Sequence, residues 1–175
     1  MDWHDLMEDG FNRIPQFMEH VLEGLSEEDI SWQPRQDSNS IGWLVWHLTR
    51  QLDAQIASLS EEEQLWTKDG WHAKFDREAD PMDLGFGHTP EQVATFKPPG
   101  TQIMLEYLKT AVERTKQYFK GLNQEDLDKE LNEPQFQPLP TVGVRLISIL
   151  DDCILHAGQA AYIRGLLHGK GWQKF

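Results

Sequence analysis

The sequence predicts an all-α fold, a four-helix bundle with two long connections, on three observations. Four stretches carry apolar residues at helical spacing, and no stretch shows the period-two alternation of a strand. The tracts rich in proline, glycine and polar residues fall between those four stretches, where a bundle needs its connections. The chain shows no internal repeat and no low-complexity tract.

The first helix is expected over roughly residues 2–24, with Leu6, Phe11, Ile14, Met18, Val21 and Leu22 on one side and Gly24 as its stop. Ser26 with Asp29 reads as a capping box for a short turn. Pro34 and the polar run 36–40 form a loop ending on Ser40, a good N-cap. The second helix should occupy roughly 41–59, carried by Ile41, Leu44, Val45, Leu48, Leu52, Ile56 and Leu59. A connection over about 60–100 follows, too long for a plain bundle turn, and connections of this size are often functional. Short helical turns are expected in it after Ser60 and after Thr89. The third helix should cover roughly 101–121, from Ile103 to Phe119 in apolar terms. The second connection, 122–140, contains a short helical pattern at 123–127 and closes on Pro134, Pro138 and Pro140. The fourth helix should run from about Thr141 to Leu167 and stop near Gly169.

Composition narrows the function classes. At 175 residues the chain has the length of one domain, read as 1–175, and can bury a core without a disulfide or structural metal. Its single cysteine, Cys153, excludes an intramolecular disulfide and reads as a small core residue. The net charge of −13 argues against nucleic acid, whose binders use Lys and Arg to displace counterions. No apolar run reaches the ~20 residues of a membrane span, and the acidic start Met1-Asp2-Trp3-His4-Asp5 lacks the pattern of a secretory signal, so the cytoplasm is expected. Of the seven tryptophans, Trp66 and Trp71 fall in the long connection, either as packing side chains or as the walls of an aromatic pocket.

The second and fourth helices carry the candidate chemistry. At 3.6 residues per turn, His47 lies on the shoulder of the second helix's apolar stripe, and Asp152 and His156 share the shoulder of the fourth. A carboxylate and an imidazole at i and i+4 project from adjacent turns of one face. That spacing suits two ligands of one metal, with His47 as the third. The same spacing also serves an ion pair, with His47 a histidine of the bundle rim. No phosphate loop, His-Glu-x-x-His, Cys-x-x-Cys or Gly-x-Ser-x-Gly pattern is present.

The segment Ile41-Gly42-Trp43-Leu44-Val45-Trp46-His47-Leu48-Thr49-Arg50 resembles the second-helix signature of the DinB-like (DinB/YfiT-like) superfamily. His156-Ala157-Gly158-Gln159-Ala160-Ala161-Tyr162-Ile163-Arg164-Gly165 resembles its fourth-helix signature, and Gly85-Phe86-Gly87-His88-Thr89 resembles a segment of one branch. The resemblance spans roughly residues 3–168. It implies a bundle holding a divalent metal, zinc first and nickel or iron as alternatives, on His47, Asp152 and His156. The commonest family pattern has histidine at both fourth-helix positions. The related mycothiol-dependent maleylpyruvate isomerases, with glutamate at the earlier one, are more similar. Aspartate is one methylene shorter, which leaves Asp151 as an alternative ligand.

Characterised relatives are S-transferases or isomerases that use a low-molecular-weight thiol such as mycothiol or bacillithiol. The resemblance thus implies a metal that binds and activates the thiol, with a small-molecule acceptor beside it. A hydrolase or a non-haem iron oxygenase on the same three ligands, and a non-catalytic stress-related binding module with a vestigial site, are the alternative functions. His72 and His88, both in the long connection, are the candidates for a general base. Amphipathic helices often pair across a two-fold axis, so a homodimer is open.

Overall fold

A computed structural model describes residues 1–172 of the chain. Among these residues the structure is helical with no strand, and four helices have 20 or more residues. Helix α1 (Trp3–Leu22) starts at Asp2, whose carboxylate accepts the Asp5 N–H while the Asp5 side chain accepts the Asp2 N–H. Such a reciprocal cap contributes about 1 kcal/mol. The Ser26–Asp29 capping box starts α2 (Glu27–Ser31) as its sequence indicates. Ser40 Oγ accepts the Trp43 N–H at 3.2 Å and opens α3 (Ile41–Ser60).

The long connection folds into three short helices, α4 (Leu65–Lys68), α5 (Trp71–Lys74) and α6 (Pro90–Ala94), the last capped by Thr89. Then follow α7 (Thr101–Lys120), a 3₁₀ turn over Gln124–Asp128 and α8 (Val142–His168), which Thr141 caps. The ends of the four long helices fall within about two residues of the sequence expectation, as caps and glycines mark them.

The four long helices close a ring in which α3 packs on α7 and α8, and α1 packs on the same two from the opposite side. One continuous core runs through the ring, from Phe11 and Met18 of α1 through Leu48 of α3 and Tyr107 of α7 to Cys153 of α8. Each such side chain contributes about 1.5–3 kcal/mol by leaving water. Helix α3 differs from the amphipathic expectation: every residue from Ile41 to Asp53 is buried. The reason is the long connection, which covers the outer side of α3 and turns its polar residues inward.

A buried polar network fastens that cover. Asp53 accepts the backbone N–H groups of Leu65 and Trp66 at 2.9 Å each, the Tyr107 hydroxyl at 2.7 Å and the Arg114 guanidinium at 3.2 Å. Arg50 lies 3.5 Å from the same carboxylate, donates to the Pro81 and Asp83 carbonyls at 3.2 Å each, and lies over the Trp66 ring. Trp66 and Trp71 pack against Tyr107 and are almost fully buried, so they fill the core rather than wall an open pocket. No helix among the described residues is long and apolar enough to cross a membrane.

Candidate metal centre

His47, Asp152 and His156 meet where α3 crosses α8. The imidazoles of His47 and His156 stand edge to face with centroids 4.7 Å apart. His156 Nε2 lies 3.4 Å from Asp152 Oδ1. Asp151, the neighbouring carboxylate, faces solvent.

Each imidazole is oriented through its Nδ1. His47 Nδ1 donates to the Leu84 carbonyl, and His156 Nδ1 faces Gln159 Oε1 at 2.9 Å. Both rings therefore turn Nε2 away from those partners, the arrangement of a histidine ligand whose other nitrogen is held. The two imidazoles differ in their surroundings. Burial holds His47 below the ordinary imidazole pKa, against the pull of the Leu84 carbonyl. Its hydrogen bond with Asp152 raises His156 above that value.

His47 is packed by two aromatic side chains and by the loop backbone. Trp43, one turn earlier on α3, stacks on it at 4.7 Å, and Phe86 meets it edge-on at 5.4 Å. Gly85, at φ +89°, lets the loop backbone touch the ring: a Cβ there would stand 3.0 Å from His47 Nδ1 and 2.8 Å from Trp43 Cζ2. Arg50 holds the carbonyls of residues 81 and 83, which sets the neighbouring Leu84 carbonyl toward His47.

His88 is part of the same scaffold. The Trp43 indole N–H donates to His88 Nδ1 at 3.2 Å, and His88 Nε2 donates to Asp83 Oδ1 at 3.0 Å. Arg77 grips the other oxygen of Asp83 with two donors at 3.0 and 2.6 Å. Both nitrogens of His88 are thus engaged, and Trp43 stands between it and His47. His72 lies apart, against the Trp66 ring, with Nδ1 3.3 Å from the Arg77 carbonyl. Cys153 is fully buried, and burial pushes its thiol pKa up.

As the side chains stand, no group of three His, Cys, Asp or Glu residues among those described forms a ready-made metal cluster. The donor types, two imidazoles and one carboxylate, are ones that divalent cations take. In a tetrahedral zinc site with bonds of ~2.0–2.1 Å, neighbouring donors are about 3.3 Å apart, close to the His156–Asp152 separation of 3.4 Å. Asp152 Oδ2 is buried without a hydrogen-bond partner, as is Nε2 of Gln51, one turn along α3 from His47. A buried carboxylate oxygen with no partner is costly, and a cation would satisfy it.

Sequence reading did not find Gln159, Trp43, Asp83 or the Leu84 carbonyl as parts of this site. Gln159 and Trp43 carried a usable signal, since they lie at i+3 from His156 and i−4 from His47. Asp83 and Leu84 carried none.

A structure of a conserved protein from Enterococcus faecalis is similar to this chain throughout. The two share 31% sequence identity over 97% of this chain and 99% of that one, with a TM-score of 0.88. A search among curated proteins gave no match. The model of the DinB superfamily matches residues 11–160, which include α3, the long connection and the part of α8 that carries Asp152 and His156. The chain belongs to the DinB superfamily.

Proposed function

We propose that the chain is a divalent-metal enzyme that transfers a low-molecular-weight thiol to a small electrophile, or isomerises an adduct of one. The observation that carries this reading is the pairing of two imidazoles anchored through Nδ1 with a buried carboxylate oxygen that has no partner. His47, Asp152 and His156 would hold the metal. A cation bound there supplies a positive centre that lowers the pKa of a coordinated thiol.

The residues of the chain set up that chemistry. Two neutral imidazoles and one carboxylate leave a divalent site with one positive charge, which favours one further anionic donor such as a thiolate. Burial keeps His47 neutral, as a ligand requires. Trp43, Phe86 and the Gly85 backbone exclude water from the His47 side. His156 and Asp152 are partly exposed, so thiol and acceptor approach from the α8 side. In transfer, the thiol gives up its proton, its sulfur forms a bond to the acceptor carbon, and the leaving group departs with the electron pair.

A second reading rests on the His156–Asp152 ion pair, which joins the two side chains without a metal and suits a non-catalytic module. Metal content of the untagged protein, by mass spectrometry, separates the two. The enzyme reading expects near one equivalent in wild type, lost in His156→Ala, and thiol consumption with monochlorobimane only when metal is bound. A wild-type protein that stays empty when zinc, nickel and iron(II) are supplied would leave the binding module. Bound iron together with oxygen consumption would point to oxygenase chemistry instead.

A further inference from the structure

Two side-chain atoms at the α3–α8 crossing are buried without a hydrogen-bond partner, and they are of opposite kind. Asp152 Oδ2 is an acceptor, and Gln51 Nε2 is a donor. Gln51 is 3% exposed, as deep as His47 one turn before it. A buried amide N–H that bonds nothing is costly, and a fold that keeps one calls for a reason. We infer that Gln51 is the anion-positioning residue of this site. Its amide donates to the anionic atom that a ligand brings beside the metal, the thiolate sulfur in the reading above, on which this inference rests.

The register of the two helices places the amide there. His47, Gln51 and Gln55 follow one another at i, i+4 and i+8 on α3, each turned about 40° from the last, so Gln51 projects between the other two. His47 meets His156, and Gln55 Oε1 accepts from Arg145 at 3.1 Å. Both contacts are with α8, and they run antiparallel along it. Gln51 therefore faces the stretch of α8 between Arg145 and His156, where Asp152 lies. Along this stripe His47 Nδ1 engages the Leu84 carbonyl and Gln55 engages Arg145, while the Gln51 amide nitrogen engages no group among the described residues.

The two atoms without partners require different things. Asp152 Oδ2 takes a cation. An amide N–H₂ cannot face a cation and takes an acceptor. Bonded to each other, the two would close the site, and they are not bonded. A cation beside Asp152 and an anion beside Gln51 satisfy both at once. A neutral amide suits the second task, because it donates a charge-assisted hydrogen bond without repelling the metal as a lysine would. Its burial strengthens that bond, since the local dielectric is low. An amide turned the other way would instead offer its oxygen to the metal as a ligand, and the two arrangements have different consequences.

The test loads untagged protein with cobalt(II), whose visible spectrum reports coordination, and titrates in 2-mercaptoethanol while following the sulfur-to-cobalt charge-transfer band. Gln51→Met keeps the length of the side chain and removes the donor. Its metal-free form should have a Tm equal to or above that of wild type, because a polar group without a partner has left the core. Cobalt affinity should be unchanged, and thiol affinity should fall about tenfold, the size of one hydrogen bond to a charged group. Gln51→Glu keeps the shape and sets a carboxylate where the donor was. It should hold cobalt at least as tightly and bind the thiol more weakly still. Gln55→Met, one turn on, should leave thiol affinity unchanged. If Gln51→Met does not fold, Gln51→Glu decides. Unchanged thiol affinity in the variants overturns the inference and leaves the amide to a buried water. Loss of cobalt from a folded Gln51→Met also overturns it and makes Gln51 a ligand. A wild type that takes up no cobalt fails at the earlier step and removes the metal reading together with this one, so the two failures are read from different measurements.

Discussion

The rings of His47 and His156 stand edge to face across the α3–α8 crossing, 4.7 Å between centroids and 79° between planes. Neither ring is free to turn. His47 is held by the Leu84 carbonyl and the Trp43 stack, and His156 by Gln159. A metal at this crossing therefore depends on the partners of the two rings as well as on the rings themselves. Gln159→Leu removes the His156 anchor and leaves every metal-ligating atom in place. It should lower zinc affinity 10–100-fold, as loss of such a supporting group usually does. Asp151→Asn, at the exposed neighbour of Asp152, should leave affinity unchanged. Competition against a chromophoric chelator measures both.

The loop over His47 is the second point of leverage. Gly85 sits at φ +89° with its α-carbon against the Trp43 and His47 rings. Gly85→Ala adds a methyl group where no space exists and forces a backbone angle that side chains rarely adopt. The cost should be about 1–3 kcal/mol. Urea denaturation of the metal-free protein should show it, and zinc affinity should fall in the same variant as the Leu84 carbonyl moves off His47.

How much of this was legible in the sequence differs from element to element. The four long helices were readable because α1, α7 and α8 each bury one periodic face and because Asp2, Ser40 and Thr141 are side chains that cap α1, α3 and α8. Helix α3 was readable as a helix, but its wheel placed His47 on a rim and the structure buries it at 4% exposure. A wheel assumes that one side meets water, and the long connection removes that side. The His47–Asp152–His156 constellation could be drawn from i, i+4 spacing and family resemblance. The groups that hold it could not all be drawn. His88 reaches Trp43 across 45 residues, and a backbone carbonyl such as that of Leu84 has no residue signature at all.

Asp53 and Arg50 join the long connection to the bundle, and both side chains are fully buried. Asp53→Ala would leave Arg50 charged in the interior and free the N–H groups of Leu65 and Trp66. Breaking one partner of a buried pair costs about 3–5 kcal/mol. Chemical denaturation should show a loss of that size. Because Arg50 also holds the 81–84 segment, the variant should lose zinc affinity as well, even though Asp53 is no metal ligand here. Tyr107→Phe, which removes one donor to Asp53 and one acceptor for Arg50, should cost about 1–3 kcal/mol.

Cys153 gives a prediction that involves no metal. It lies between Asp152 and His156 in sequence, yet its side chain points into the core and is fully buried. Burial favours the neutral thiol and raises its pKa, and the nearby Asp152 charge adds to the effect. A thiolate is the reactive form, so native protein should react negligibly with a disulfide reagent at mildly alkaline pH. Unfolded in urea, the same protein should yield one thiol per chain, the number its sequence contains. The raised pKa also sets a sign for stability. The folded state binds the thiol proton more tightly than the unfolded chain does, so the associated stability is present below the unfolded pKa of about 8.5 and is lost as pH rises above it. Relative to Cys153→Ala, which has no thiol to ionise, wild type should lose about 1.4 kcal/mol per pH unit above that point. Parallel urea titrations of the two proteins from neutral pH to about one unit above the unfolded thiol's pKa measure the slope. Equal pH dependence in both, or rapid labelling of the native thiol, would show that Cys153 reaches solvent, and would reopen it as a nucleophile beside His156.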